Sequence, residues 1–273
     1  MALRDKLGFL GGGRMGEALI QGILKSGIIA AADILVTDPV AERRVYLADT
    51  YGVNVYDSSE NEHIWSGCDT VILAVKPQIM KDVLLDAKDR INNSHLLISI
   101  AAGIQSSFIA AQLAGCNCRI IRVMPNTPAF VLEAASALSP GPGATQEDMD
   151  TAVAIFNSIG KSIILDEKYF DAVTGLSGSG PAYVFTFIEA LIDAGLKVGL
   201  NRSDAELLVT QTILGSVKLA MSSKEHPAQL RAMVTSPGGT TIAGLHELEA
   251  AGFNGIIMDA VEAATERSKE LGK

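Results

Sequence analysis

The chemistry legible in this chain sits in glycines and small hydroxyl residues, not in paired acids or metal ligands. Residues 7–20 read LGFLGGGRMGEALI. The apolar run Leu7-Gly8-Phe9-Leu10 has the length of a buried strand, and Met15, Ala18, Leu19 and Ile23 recur behind the glycines at helical spacing. Gly11-x-Gly13-x-x-Gly16 between a strand and a helix is the dinucleotide fingerprint. Gly11 permits a turn that a side chain would block. Gly13 lets backbone approach a pyrophosphate, and Gly16 lets the helix pack on the strand. The phosphates then lie at the helix N-terminus, beside Arg14 and Met15, where unpaired N–H groups and the helix dipole favour negative charge.

Two further segments place glycines and hydroxyls just before a helix: Thr174–Tyr183 (TGLSGSGPAY) and Val234–Ile242 (VTSPGGTTI). Each is expected to offer backbone N–H groups to an anion such as a carboxylate, or else to cap its helix through Ser177, Ser179, Ser236 or Thr241. There is no H-E-x-x-H and no G-x-S-x-G, and His63, His95, His226 and His246 are scattered. Metal catalysis and Ser/His hydrolysis are therefore not expected.

A fingerprint of this kind needs a sheet to carry it. Up to about residue 165 the pattern alternates strand and helix, with near-continuous apolar strands at 34–37, 53–56, 70–75, 96–100 and 119–124. Such runs imply a parallel sheet covered on both faces. Two more strands are expected at 134–139 and 162–165, with Pro140–Gly143 as a turn between them. In such sheets ligands bind beyond the carboxyl ends of the strands. The residues placed there are Asp38, Ala74, Val75, Lys76, Pro77, Ala102, Gly103 and Asn126, besides the glycines. Asp38 follows the second strand, where a carboxylate binds the ribose 2′-OH and favours NAD. Arg43 and Arg44, one turn on, are placed to meet a 2′-phosphate, and a helix-capping Asp38 with solvated arginines is the bland alternative.

After residue 166 the β signal stops, and helices are expected near 180–199, 203–222, 226–235, 240–251 and 254–271. The expected class is α/β: a Rossmann dinucleotide-binding domain over 1–165 and an all-helical domain over 166–273. Segment 181–200 has the length of a membrane span, but Glu189, Asp193 and Lys197 put a charged stripe on one face, as in a core or subunit-interface helix. The chain has 273 residues, 48% hydrophobic and 19% charged, with a net charge of −9 and no basic cluster. That excludes nucleic acid and anionic membrane as main partners. Three cysteines, an odd count, and no visible signal peptide point to the reducing cytoplasm.

Taken together, GFLGGGRMGEA, AVKPQ (74–78), SIAAG (99–103), RVMPNTPA (122–129), GLSGSGPAY (175–183) and MVTSPGGTTIAGL (233–245) resemble the pyrroline-5-carboxylate reductase family along essentially the whole chain. The resemblance implies reduction of the C=N bond of 1-pyrroline-5-carboxylate to proline by NADPH or NADH. It also implies a helical domain that pairs two copies into a homodimer, which assembles further in some members. It assigns Thr241 to the substrate ring nitrogen, and Ser236, Gly238, Gly239 and Thr240 to the carboxylate. Many members carry Asn-Arg or a Ser-rich stretch after the second strand, suited to NADP. Asp38-Pro39 departs from that and favours NADH slightly. The alternatives are a β-hydroxyacid dehydrogenase of similar architecture, which needs a general base that Ser177–Ala182 lacks, and a dinucleotide-binding regulator without turnover.

Overall fold

The structure, a computed structural model, describes residues 6–271. Eight strands form one sheet: β1 (Leu7–Leu10), β2 (Ile34–Thr37), β3 (Asn54–Tyr56), β4 (Thr70–Leu73), β5 (Leu96–Ser99), β6 (Arg119–Met124), β7 (Ala134–Pro140) and β8 (Gly160–Ile164). Their spatial order is β3-β2-β1-β4-β5-β6-β7-β8. The first six are parallel in the 3-2-1-4-5-6 order of a doubly wound dinucleotide fold. The crossovers carry helices α1 (Arg14–Ser26), α2 (Ala41–Tyr51), α3 (Glu62–Gly67), α4 (Met80–Ala87) and α5 (Ser106–Gln112).

Strand alternation divides the core into two layers. Leu7, Phe9, Ile34, Val36, Ile72 and Ile98 face one side, against Ala18, Leu19 and Ile23 of α1. Leu10, Leu35, Val71, Leu73 and Leu97 face the other, against Ile64, Trp65, Met80 and Leu84. Each such fully buried side chain contributes roughly 1.5–3 kcal/mol relative to exposure. Both faces being covered is why these strands read as continuous apolar runs.

Two parts of the sheet depart from the sequence reading. β7 runs antiparallel to β6, with Arg122 opposite Ser139 and Met124 opposite Ala137. The connection 125–133 is too short for a parallel crossover, which takes a dozen residues or more. Between β7 and β8 lies not only the turn at 140–143 but a helix, α6 (Gln146–Asn157). Thr145 and Asp148 cap it reciprocally, and Met149, Ala152, Ile155 and Phe156 join the α1 layer. β8 then returns parallel to β7.

Beyond the sheet come α7 (Phe170–Val173), α8 (Gly180–Lys197), α9 (Arg202–Ser222), α10 (Pro227–Met233), α11 (Thr240–Ala250) and α12 (Phe253–Leu271). Asn201 caps α9 by accepting the Asp204 N–H at 2.9 Å. The chain divides into two compact units, one of residues up to Ser179 together with those from Ala264 on, the other Gly180–Ala263. This division falls later than residue 165 because the segment after β8 is bonded to the sheet unit. Glu167 accepts from Arg122 at 3.0 Å and from the Ser106 N–H at 2.8 Å, and Asp171 accepts from Ser268 at 2.6 Å. Arg122 is buried and also lies over the Phe170 ring at 4.8 Å. Breaking a buried ion pair of this kind by removing one partner costs about 3–5 kcal/mol.

The Gly180–Ala263 unit buries almost nothing by itself. No residue of α8, α10 or α11 is buried, and in α9 only Ala205 is. Phe185 is 65% exposed, Leu207 69% and Met221 70%. Apolar exposure on that scale marks an interaction surface. Among the described residues no helix is long and apolar enough to cross a membrane.

Candidate active site

β1 delivers the glycine turn at the carboxyl edge of the sheet. Gly11 has φ +98°, and a Cβ there would lie 2.7 Å from the Ala74 carbonyl oxygen. Its N–H donates to Thr37 O at 2.8 Å, extending the parallel ladder past the strand. A Cβ on Gly16 would lie 2.7 Å from the Gly11 carbonyl oxygen, so helix and turn are in direct backbone contact. Gly13 is the opposite case: a Cβ there would meet nothing within 4 Å. Gly13 is the N-cap of α1, and no side chain caps the helix. The first N–H groups of α1, at Arg14, Met15 and Gly16, therefore lack intrahelical partners and lie behind open space. This cradle fits a pyrophosphate.

The end of β2 is wired into the glycine turn. Asp38 is buried; its Oδ2 accepts the Gly12 N–H and its Oδ1 the Val40 N–H, each at 2.9 Å. It is thus not the N-cap of α2, which is Val40. Arg43 donates through Nε to the Gly12 carbonyl and through Nη2 to Glu17 Oε2, both at 2.5 Å. Arg44 donates to the Asp38 carbonyl at 2.7 Å and pairs with Asp57 at 2.8 Å. Neither arginine is a solvated cation. Glu17 also accepts from Tyr46 and Tyr51, at 2.9 and 3.0 Å. Burial raises the Glu17 pKa, but the hydrogen bonds from Arg43, Tyr46 and Tyr51 outweigh it and hold the carboxyl below its usual range. The sequence places Arg43 either to meet a 2′-phosphate or in solvent, and gives Glu17 no role. The available signal was the shared helical face of Arg43, Tyr46, Leu47 and Tyr51, opposite an acid in the first turn of α1.

At the other strand ends, Ala74 and Val75 are half-buried and Lys76 is exposed, with Pro77 opening a single helical turn. Ala102 is exposed, and Gly103 has φ +75°. Asn126 is buried, and its amide is engaged on both sides: it donates to Ser177 O at 3.0 Å and accepts the Ala135 N–H at 2.9 Å.

The two hydroxyl-rich segments differ. Residues 174–178 are not an open loop but a π-helical turn that continues α7. Ser179 N–H donates to Thr174 O at 2.8 Å, and the Thr174 and Ser177 hydroxyls donate to the carbonyls of Phe170 and Val173, four residues back. The Ser179 N–H is thus spent in the winding, and the Thr174 and Ser177 hydroxyls are turned onto their own helix. Residues 234–239 do remain a loop. Gly238 has φ +67°, and Gly239 is the N-cap of α11 with no side chain capping it. Thr240 and Thr241 start the helix; Thr241 is half-buried, and Ser236, Gly238 and Thr240 are exposed. This is a bare helix N-terminus with hydroxyls around it, suited to an organic anion.

Two of the histidines and two of the cysteines serve structure. His95 bridges Trp65 O at 2.9 Å and the Asn92 N–H at 3.1 Å, and His226 accepts from Ala228 N–H at the start of α10. Burial pushes the Cys68 and Cys118 thiols up to about 12. Thiols so buried are inert.

A doubly wound sheet with an open pyrophosphate cradle defines the nicotinamide-dependent oxidoreductases of Rossmann type. In agreement, residues 6–103 match a family model described as NADP oxidoreductase, coenzyme F420-dependent, and residues 167–271 match one described as pyrroline-5-carboxylate reductase dimerisation. The chain is 46% identical to the pyrroline-5-carboxylate reductase of Methanosarcina acetivorans, over 98% of both chains. A pyrroline-5-carboxylate reductase structure from Coxiella burnetii superposes with TM-score 0.93 at 34% identity, covering 99% of this chain and 100% of that one. One from Plasmodium falciparum with NADP bound gives TM-score 0.89 at 38% identity, covering all of both chains. The chain belongs to the pyrroline-5-carboxylate reductase family.

The open space at Gly13 makes a specific prediction. Gly13→Val places a branched side chain where the pyrophosphate must lie, on a Cβ that meets no protein atom within 4 Å. The variant is expected to keep its thermal midpoint and lose NAD(P)H binding in a fluorescence titration. Unchanged affinity would remove the cradle as the cofactor site.

Proposed function

We propose that this chain reduces 1-pyrroline-5-carboxylate to L-proline with NADPH or NADH, the last step of proline biosynthesis. Residues 1–165 hold the cofactor, and 166–273 pair the subunits and hold the substrate. The observation that carries this reading is the bare N-terminus of α11 with Thr241 in its first turn, in a chain that also holds the Gly13 cradle. Gly11, Gly13, Arg14, Met15 and Gly16 take the pyrophosphate. Asp38 takes the adenosine ribose, and Ala74–Pro77, Ala102, Gly103 and Asn126 line the remainder of the cofactor site. The substrate carboxylate sits against the loop of Ser236, Gly238, Gly239 and Thr240, partly on backbone N–H groups, and Thr241 hydrogen-bonds to the ring nitrogen.

The chemistry suits a site without acids or bases. A protonated cyclic imine is already electrophilic, and when bound the reduced nicotinamide supplies the hydride. The protein's share is orientation of the imine carbon and a hydrogen bond to the nitrogen. A hydroxyl does this without titrating near neutral pH. A hydroxyacid dehydrogenase must instead remove an alcohol proton and needs a positioned base. The purified protein is expected to turn over 1-pyrroline-5-carboxylate and not 3-hydroxyisobutyrate. Thr241→Val, which keeps shape and loses the hydrogen bond, should lower kcat/KM by roughly tenfold or more. Wild-type turnover in that variant would deny the hydroxyl its role.

The bare faces of α8 and α9 support an obligate homodimer, which we place in the cytoplasm on the three cysteines, none in a disulfide, subject to cell fractionation. Sedimentation of dilute protein should give a dimer or an assembly of dimers; a folded, active monomer contradicts the proposal.

For cofactor choice, Asp38 stands where a carboxylate accepts from ribose hydroxyls and repels a 2′-phosphate, and both nearby arginines are already paired with acids. NADH is expected to be used at least as well as NADPH, with Asp38→Asn shifting the ratio toward NADPH. A strong NADPH preference that Asp38→Asn leaves unchanged would take Asp38 out of the cofactor site.

A further inference from the structure

The middle residue of the glycine turn is gripped from both sides. Gly12 N–H is held by Asp38 at 2.9 Å, and the Gly12 carbonyl by Arg43 Nε at 2.5 Å. A Cβ on Gly12 would lie 2.6 Å from Leu47 and 3.2 Å from Val36, so the residue is also pressed against β2 and α2. A trans peptide is planar, with its C=O and N–H pointing opposite ways. Anchoring the Gly12 carbonyl toward α2 therefore turns the next N–H, that of Gly13, away from α2. Without an anchor, a Gly-Gly peptide rotates easily, since neither residue has a Cβ to restrict it. A flipped Gly12–Gly13 peptide would present a carbonyl oxygen in place of an N–H.

Arg43 is itself held in place. Its Nη2 pairs with Glu17, it lies over the Tyr46 ring at 5.0 Å, and Tyr46 and Tyr51 both donate to the same Glu17 carboxylate. Glu17 and Arg43 are each only about one-fifth exposed, at 20% and 23%. An arginine kept for a 2′-phosphate would be expected to reach into solvent, not to be bonded to a glycine carbonyl and a half-buried acid.

We propose that Arg43, locked by Glu17, is a positioning residue that fixes the Gly12–Gly13 peptide for pyrophosphate binding, so that it serves NADH and NADPH equally and does not select between them. The proposal rests on the glycine turn being the cofactor site.

The test is direct titration of full-length protein with NADH and with NADPH, read by nucleotide fluorescence. Arg43→Gln should weaken both by the same factor, roughly tenfold, as expected for the loss of a charge-assisted hydrogen bond. It should also leave the KM for 1-pyrroline-5-carboxylate unchanged, which a general loosening of the fold would not do. Glu17→Gln keeps the side-chain shape and removes the charge, and should weaken both nucleotides by a smaller, equal factor. It carries the test if Arg43→Gln fails to fold. Loss of NADPH affinity alone in Arg43→Gln, or a gain for NADPH alone in Glu17→Gln, would show Arg43 to be a 2′-phosphate ligand and overturn the proposal. Unchanged NADH affinity in both variants would overturn it as well. Gly13→Val separates the two levels: if it still binds nucleotide, the site itself is misplaced, and if it does not, a negative result at Arg43 and Glu17 falls on this proposal alone.

Discussion

A pyrophosphate can be recognised by bare backbone only if that backbone is held still without side chains of its own. In this chain the requirement falls on the three residues between β1 and α1. Ladder bonds from the sheet fix their entry, through Gly11 N–H and Thr37 O. Contact between Gly16 and the Gly11 carbonyl fixes their exit. The middle is fixed from outside the turn, by Asp38 at the end of β2 and Arg43 on α2. The parallel sheet matters to function because it sets these neighbours at fixed spacing. β1 and β2 are in register from Leu7–Ile34 to Leu10–Thr37, so the residues that follow each strand emerge side by side.

The same economy of side chains runs through the proposed chemistry. An iminium reduction needs no acid or base; the first turn of α11 carries none, and Glu17, the acid in the first turn of α1, is paired with Arg43. Charged groups near the cofactor cradle are paired with one another, as Arg43 with Glu17 and Arg44 with Asp57. They shape the backbone around the ligand. At exposed positions such pairs are worth little for stability. Their value is geometric, since a half-buried guanidinium shared between a carboxylate and a backbone carbonyl has few ways to satisfy its donors.

The helical unit follows a different logic. Its helices hold no core of their own, because the apolar residues of α8 and α9 lie on surfaces that one copy of the unit leaves exposed. Apolar faces left bare on this scale belong to a unit built for self-association. Family membership, with a dimerisation model matched over 167–271, agrees with that physical reading.

Sequence alone determined what depends on local periodicity and turn chemistry. The fingerprint LGFLGGGRMGEALI could hardly be other than strand, tight turn and helix, and the helices of the second half stand within a few residues of their expected limits. The capping pair Thr145 and Asp148 was a local signal too, and reading it would have placed α6. What only the tertiary structure decided involves partners distant along the chain. β7 turned antiparallel because its short connection left no room for a crossover. The glycine-rich 174–178 segment wound into a π-turn, although its composition resembles that of the 234–239 loop, which stayed open. Asn126, read as a cofactor residue, has its amide bonded to the backbone of Ser177 and Ala135. Arg43, which the sequence left open between a 2′-phosphate partner and a solvated cation, is bound to Gly12 and Glu17, residues that precede it by a whole βα unit. A hydrogen bond across such a separation leaves no trace in residue spacing, because only the packing of α2 against the glycine turn brings its two ends together.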